Sequence, residues 1–208
     1  MKSQRVLVLM HLDLVPPKNA KLSSDKERLE TPWTTEYDVL KSLNEGGHQV
    51  ETIGVYSDLK VIRTAIEEFK PHIIFNLLEE FDGDSVFDQN VVSYLELMKL
   101  PYTGSNPRGL ILARDKGLTK KILTYHRIKT PKFAAFPKNK RYKTPKELKY
   151  PLIVKCLSEE ASLGISKVSI VNSEDKLKER IDYIHTKFAV DAIAEEFIKG
   201  REFFVGVM

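Results

Sequence analysis

The chain has 208 residues, 42% of them hydrophobic and 30% charged, which is enough for one large domain or two small ones with a proper core. Its 33 Lys and Arg against 29 Asp and Glu leave a net charge of +4, a small and dispersed excess that carries no nucleic-acid footprint. One cysteine, Cys156, excludes an internal disulfide and a thiolate zinc site, and the five histidines show no paired metal-ligand spacing.

The chain opens on "RVLVLMH" (Arg5 to His11), a continuous apolar run that predicts a buried strand. The run is too short for a secretion signal, and no later stretch approaches the roughly 20 apolar residues of a membrane span. The expectation is a cytoplasmic protein with no membrane and no nucleic-acid partner. A polar segment from Leu14 to Glu30, with Pro16 and Pro17, predicts a long loop. Thr31-Pro32 then predicts a helix start, Thr31 as N-cap and Pro32 at the first position, and Gly46-Gly47 its end.

"HQVETIGV" (His48 to Val55) predicts a second strand and Asp58 to Phe69 a helix, with Leu59, Ile62, Ile66 and Phe69 at helical spacing. "HIIFNL" (His72 to Leu77) predicts a third strand. Strand and helix alternate, which favours a parallel, doubly wound sheet. The acidic loop Glu79 to Asp84 then falls at the C-terminal edge of that sheet, where ligands bind in such folds. Val86 to Met98 predicts a helix, Pro101 to Gly104 a short strand, and Asp115 to Ile128 another helix.

From Pro131 the pattern changes. Short strands are predicted at Lys132 to Phe136, Pro151 to Cys156, Lys167 to Val171, Ala192 to Ile198 and Glu202 to Met208, with one long helix from Glu174 to His185. This describes a second, antiparallel α+β lobe, with the boundary near Lys129-Thr130: residues 1–128 and 129–208. A strand running into the last residue predicts a domain that is incomplete at its C-terminus.

Three places offer charge for chemistry. Lys155 stands inside the apolar strand "PLIVKC", where a lysine needs a partner. The small and polar loop after it, around Ser162 and Gly164, has donors for phosphate. Lys116 follows Asp115 at a helix start, with Lys120 and Lys121 one turn on; alone, these read as a solvated basic face. "AIAEEFIKGRE" carries Glu195, Glu196 and Glu202, and adjacent carboxylates on a strand point to opposite faces. Each of the three alone reads more simply as a charged surface.

Taken in order, "LPYTGSNP", "ARDKGLTKKIL", "YPLIVK", "ASLGISKV" and "AEEFIKGREFFVGV" resemble the ATP-grasp superfamily, most closely the D-alanine–D-alanine ligases. The resemblance runs from about Phe75 to the end. It implies a pre-ATP-grasp α/β domain followed by the first lobe of an ATP-grasp domain. It also implies an ATP- and Mg²⁺-dependent ligase that activates a small carboxylate as an acyl phosphate and joins it to an amine, an amino acid or peptide; homodimerisation is left open. By resemblance, Lys116 and Lys155 are the two nucleotide lysines, and Ser162, within Ala161 to Gly164, belongs to the loop over the phosphates. Glu195, Glu196, Phe197 and Ile198 form the strand that reads adenine, and Glu202, seven residues after Glu195, is the ribose acid.

The chain also departs from the pattern. Glu160, Ala161 and Cys156 stand where the family commonly has Gly, Ser and Pro, and Glu160 adds negative charge beside phosphates. The Gly-Gly and Glu-Val-Ser pattern that holds the first D-alanine is missing; Glu36 and the Glu79 to Asp84 loop lie in roughly comparable places without matching it. The family's magnesium acids and oxyanion-stabilising arginine come later than residue 208, so no metal ligand and no catalytic residue is assigned. Two further readings follow from the departures: a non-catalytic ATP-binding protein of the same fold, and a structural or interaction domain without a nucleotide site.

Overall fold

The apolar run Arg5–His11 (β1) is the middle strand of a parallel sheet, between Gln49–Val55 (β2) and Ile73–Asn76 (β3). The computed structural model describes residues 2–158, 165–203 and 205–206. In register, Arg5 to His11 stand opposite Gln49 to Val55, and Val6 to Leu9 opposite Ile73 to Asn76. All five residues from Val6 to Met10 are buried. A parallel strand covered on both faces needs such a run, because successive side chains go to opposite sides.

The helices sort onto those two sides. Leu7 and Leu9 pack with Ile62 and Ile66 of Lys60–Phe69 (α3) and with Val91 and Leu95 of Asp88–Leu97 (α4). Val6, Val8 and Met10 pack with Leu40 and Leu43 of Thr34–Glu45 (α2). Helices on both faces of a parallel sheet make the expected doubly wound arrangement.

Three local expectations in this unit change. Leu14 to Glu30 is not all loop: Asp25–Glu30 forms a short helix (α1) with a reciprocal cap, Ser24 Oγ accepting from Glu27 N and Glu27 Oε2 accepting from Ser24 N, both at 3.2 Å. The S-x-x-E signal for it is present in the sequence. Thr31 is not the cap of α2. It is extended, as residues before proline tend to be, and closes α1, while α2 begins at Thr34. Thr34 Oγ1 donates instead to the carbonyls of Arg28 and Thr31. Pro101 to Gly104 is no full strand; Tyr102 alone bridges Ile74. Pro107–Arg114 (α5), a helix with proline at its first position, carries the chain from this unit into the second.

The second unit is an antiparallel sheet of Phe133–Phe136 (β4), Leu152–Cys156 (β5), Ile170–Val171 (β6) and Ala192–Glu196 (β7), in the order β4-β7-β5-β6. Lys116–Tyr125 is a helix (α6), and Glu174–Lys187 a second (α7). Helix α7 buries Leu177, Ile181 and Ile184 against Leu152, Val154, Cys156, Ala192 and Ala194 of one sheet face. Lys167 to Ser169 winds into a 3-10 turn, with Ser166 and Ser169 capping each other, so only the last two residues of the expected strand pair.

Two boundaries differ from the sequence reading. The two compact units meet between Ile111 and Leu112, whereas the change of pattern falls near Lys129. Helix α6, which packs against β4, accounts for the difference. The strand expected from Glu202 to Met208 does not form in the residues described there, 202–203 and 205–206. None of the described strands lies alongside to share a ladder, and an unpaired strand has no partner for its donors. No helix among the described residues is long and apolar enough to cross a membrane.

Leu177 is fully buried under the antiparallel sheet. Leu177→Ala is expected to cost about 3 kcal/mol of stability by urea denaturation followed by circular dichroism. Leu29→Ala, at a residue 88% exposed, should stay within about 0.5 kcal/mol.

Candidate functional site

The face of the antiparallel sheet turned away from α7 carries the charge. Alternation along β5 sends Leu152, Val154 and Cys156 to α7 and leaves Ile153 and Lys155 on the other side. In β7 it sends Ala192 and Ala194 to α7 and leaves Ile193 and Glu195. Because Lys155 pairs in register with Ile193, Glu195 is its diagonal neighbour, within reach of a long side chain.

Glu195 is almost wholly buried, its side chain 7% exposed. Lys155 Nζ lies 3.3 Å from Glu195 Oε1, and Lys120 Nζ lies 3.2 Å from Glu195 Oε2. Lys120 also donates to Thr130 Oγ1 at 2.7 Å, and its ammonium stands 5.7 Å from the centre of the Phe133 ring. One carboxylate is thus held by two lysines from two different elements. A buried charge needs such partners, and the group as a whole keeps one positive charge in excess.

Lys120 corrects the sequence reading. Its side chain is 12% exposed, not a member of a solvated basic face. A signal existed: Lys116 and Lys120 are four apart on α6, and like charges at that spacing repel unless an anion faces them.

Asp115 caps α6, its Oδ1 accepting from Leu118 N at 2.8 Å. The first turn of α6 lies against the residue two beyond Lys155. Lys116 donates from both its backbone N and its Nζ toward the Leu157 carbonyl, each at 3.4 Å. A side chain at Gly117 would meet Leu157 Cδ1 at 3.3 Å. Lys116 and Lys155, 39 positions apart in sequence, are therefore brought to one end of β5.

The remaining expected residues separate. Glu196 takes the opposite side of β7 from Glu195 and accepts from Lys149 N at 3.3 Å. Phe197 is half-buried and spends its N–H on the Pro151 carbonyl at 2.9 Å. Ile198 is 67% exposed, and Glu202 is exposed outside any strand. Ser162, with Glu160, Ala161 and Gly164, lies outside the described residues.

Glu195→Gln removes the anion and leaves two lysines facing each other. Both keep some access to water, so the expected loss is at the lower end for a broken buried pair, about 3 kcal/mol by urea denaturation. A change below about 0.5 kcal/mol would mean that solvent already screens the group.

Residues 112–208 match the family model described as "D-ala D-ala ligase C-terminus". The chain is 33% identical over 170 residues to the D-alanine–D-alanine ligase of Zymomonas mobilis, an alignment covering 81% of this chain and 50% of that protein. It is 33% identical over 178 residues to the uncharacterized protein y4sG of Sinorhizobium fredii, covering 82% of this chain and 50% of that one. The crystal structure of the D-alanine–D-alanine ligase of Bacillus anthracis superposes with a TM-score of 0.70 at 24% identity, covering 95% of this chain and 59% of that one, a likeness of fold. The chain spans about half the length of the curated relatives it matches. The antiparallel lobe matches the C-terminal domain model of these ligases, and over four fifths of its length the chain is similar to D-alanine–D-alanine ligases.

Proposed function

We propose that the protein contributes the nucleotide-gripping part of an ATP-dependent carboxylate–amine ligase. The observation that carries this reading is the group Lys120–Glu195–Lys155, with Lys116 at the same end of β5. It holds lysine ammoniums in fixed positions with a surplus of positive charge, which is what a triphosphate requires. The names of the curated relatives and a superposed structure described as complexed with ATP, from Bacillus anthracis, support the same nucleotide.

In this reading Lys116 and Lys155 offset the charge of the phosphates, and Ser162, which follows β5 in sequence, donates to them. Glu195 orients Lys155 and Lys120. The stretch Glu195 to Ile198 lines the base, through the Phe197 carbonyl and the apolar Phe197 and Ile198 side chains, and Glu202 takes the ribose hydroxyls. The γ-phosphoryl passes to the carboxylate of one small substrate, ADP leaves, and an amine attacks the acyl phosphate to give an amide and phosphate. Such catalysis rests on positioning and charge stabilisation. Mg²⁺ accompanies ATP in this chemistry. Among the described residues no three His, Cys, Asp or Glu side chains are grouped to hold a metal ion.

Glu160, an acid where the phosphates would lie, favours one other reading, a relative that binds ATP without ligating. Turnover separates the two: ADP release in the presence of an amino-acid pool supports the ligase, and ATP binding without ADP release supports the binder.

Lys155→Ala is expected to weaken ATP binding at least tenfold by isothermal titration calorimetry, while Lys121→Ala, at an exposed position of α6, leaves it unchanged. Equal affinity in wild type and Lys155→Ala would refute the assigned role.

A further inference from the structure

The antiparallel lobe carries a second group of cations, on the side of the sheet away from Lys120 and Lys155. Helix α7 lies along that side, and its Lys176, Glu179, Arg180 and Tyr183, three and four positions apart, share one edge of the helix. They flank the buried stripe of Leu177, Ile181 and Ile184. Across from them runs β6, the last strand in the order β4-β7-β5-β6. Between that helix edge, β6 and the 3-10 turn Lys167–Ser169 there is a cavity of about 500 Å³, within the range of small-molecule sites.

The charge of this cavity is one-sided. Lys167, Lys176 and Arg180 line it against one carboxylate, Glu179, which leaves a surplus of two positive charges in the lining. Arg180 is 8% exposed, and its Cζ stands 4.4 Å from the centre of the Tyr183 ring. A guanidinium gives its face to a ring and its in-plane N–H groups to oxygen acceptors, so the ring fixes how Arg180 can hold an anion. Lys167 stands on a turn that is itself fixed: Ser166 and Ser169 cap each other, and Ser166 N donates to Ser169 Oγ at 3.0 Å. Lys176 and Arg180, four apart on one helix, repel each other, and an anion between them relieves that repulsion. The rest of the wall is apolar or aromatic. Val168 and the Tyr183 ring are exposed, and Ile170 is half-buried.

We propose that this cavity binds an organic phosphate monoester with a small apolar body. Arg180, Lys176 and Lys167 hold the phosphate, and Val168, Ile170 and Tyr183 cover the body. At neutral pH such a phosphate carries about two negative charges on three acceptor oxygens, which matches the surplus in the lining and its three cations. A carboxylate brings one charge and leaves the cavity positive. A metal cation is repelled by the same surplus. None of these residues belongs to the Lys120–Glu195–Lys155 group, which uses the other face of the sheet, so this site does not depend on the nucleotide reading.

The test is calorimetric titration of the protein with phenyl phosphate, benzoate, inorganic phosphate and phenol. Phenyl phosphate is expected to bind saturably, at least tenfold more tightly than benzoate or inorganic phosphate, and phenol not at all. Lys176→Gln and Lys167→Gln, both at exposed positions, should each weaken phenyl phosphate at least threefold. Glu179→Gln removes the one acid and should tighten it. Arg180→Lys keeps the charge but loses the planar donors, and at least a tenfold loss is expected, with a thermal melt to check that the variant folds. No saturable binding of phenyl phosphate at millimolar concentration, equally tight benzoate or phenol, or unchanged affinity in both lysine variants would overturn the proposal. Lys155→Ala keeps the two sites apart: phenyl phosphate should bind it as it binds wild type, and a loss there would put the ester in the nucleotide site and overturn the cavity. Phenyl phosphate binding in a protein that takes up no ATP supports the cavity and overturns the nucleotide reading alone.

Discussion

The antiparallel lobe is organised around one buried carboxylate. Glu195 is buried on the sheet face turned away from α7, where an isolated charge would be untenable, and it persists because Lys120 and Lys155 each hold one of its oxygens. The three residues belong to α6, β7 and β5, so one ionic group ties a helix and two strands into a fixed relation. It also sets the direction of two lysine side chains that would otherwise be long, flexible and solvated. A site that must meet a polyanion gains from cations oriented before the anion arrives, since less is lost in ordering them on binding.

The α/β unit has a cavity of opposite charge at the C-terminal end of its parallel sheet, lined by Glu36, Glu79 and Glu80. There the negative charge is in excess, and one carboxylate oxygen lacks a donor although it is buried. Around Glu195 two lysines face one carboxylate, a positive surplus; in the cavity the surplus is negative. Regular core elsewhere obeys ordinary rules, with aliphatic side chains from β1 and α3 or β5 and α7 meeting face to face. Departures from those rules concentrate where the fold leaves polar atoms inside, and such departures mark functional ground.

Some of this was readable from composition and pattern. The run Val6 to Met10 signals a buried parallel strand because every residue of it is apolar and branched or long. Asp115 before a helical pattern signals a cap. Lys155 inside "PLIVKC" signals a lysine in need of a partner. Other features were present but weak: the Ser24–Glu27 cap of α1, and the four-residue spacing of Lys116 and Lys120. The strand expected at Glu202 to Met208 does not form in the described residues 202–203 and 205–206, because strand pattern reports only willingness to pair, and pairing requires a neighbour.

Local chemistry therefore determined the elements, their caps, the alternation that puts Lys155 and Glu195 off the apolar face, and the ordered motifs that resemble a ligase family. Which charges meet was beyond it. Glu195 joins Lys155 through a strand register and Lys120 through the docking of a helix whose first turn lies against Leu157. Both are long-range outcomes of burying Leu177, Ile181 and Ile184 on the other side of the sheet. The buried oxygen of Glu36 is likewise invisible in one dimension, because a missing hydrogen bond is a property of the space around an atom.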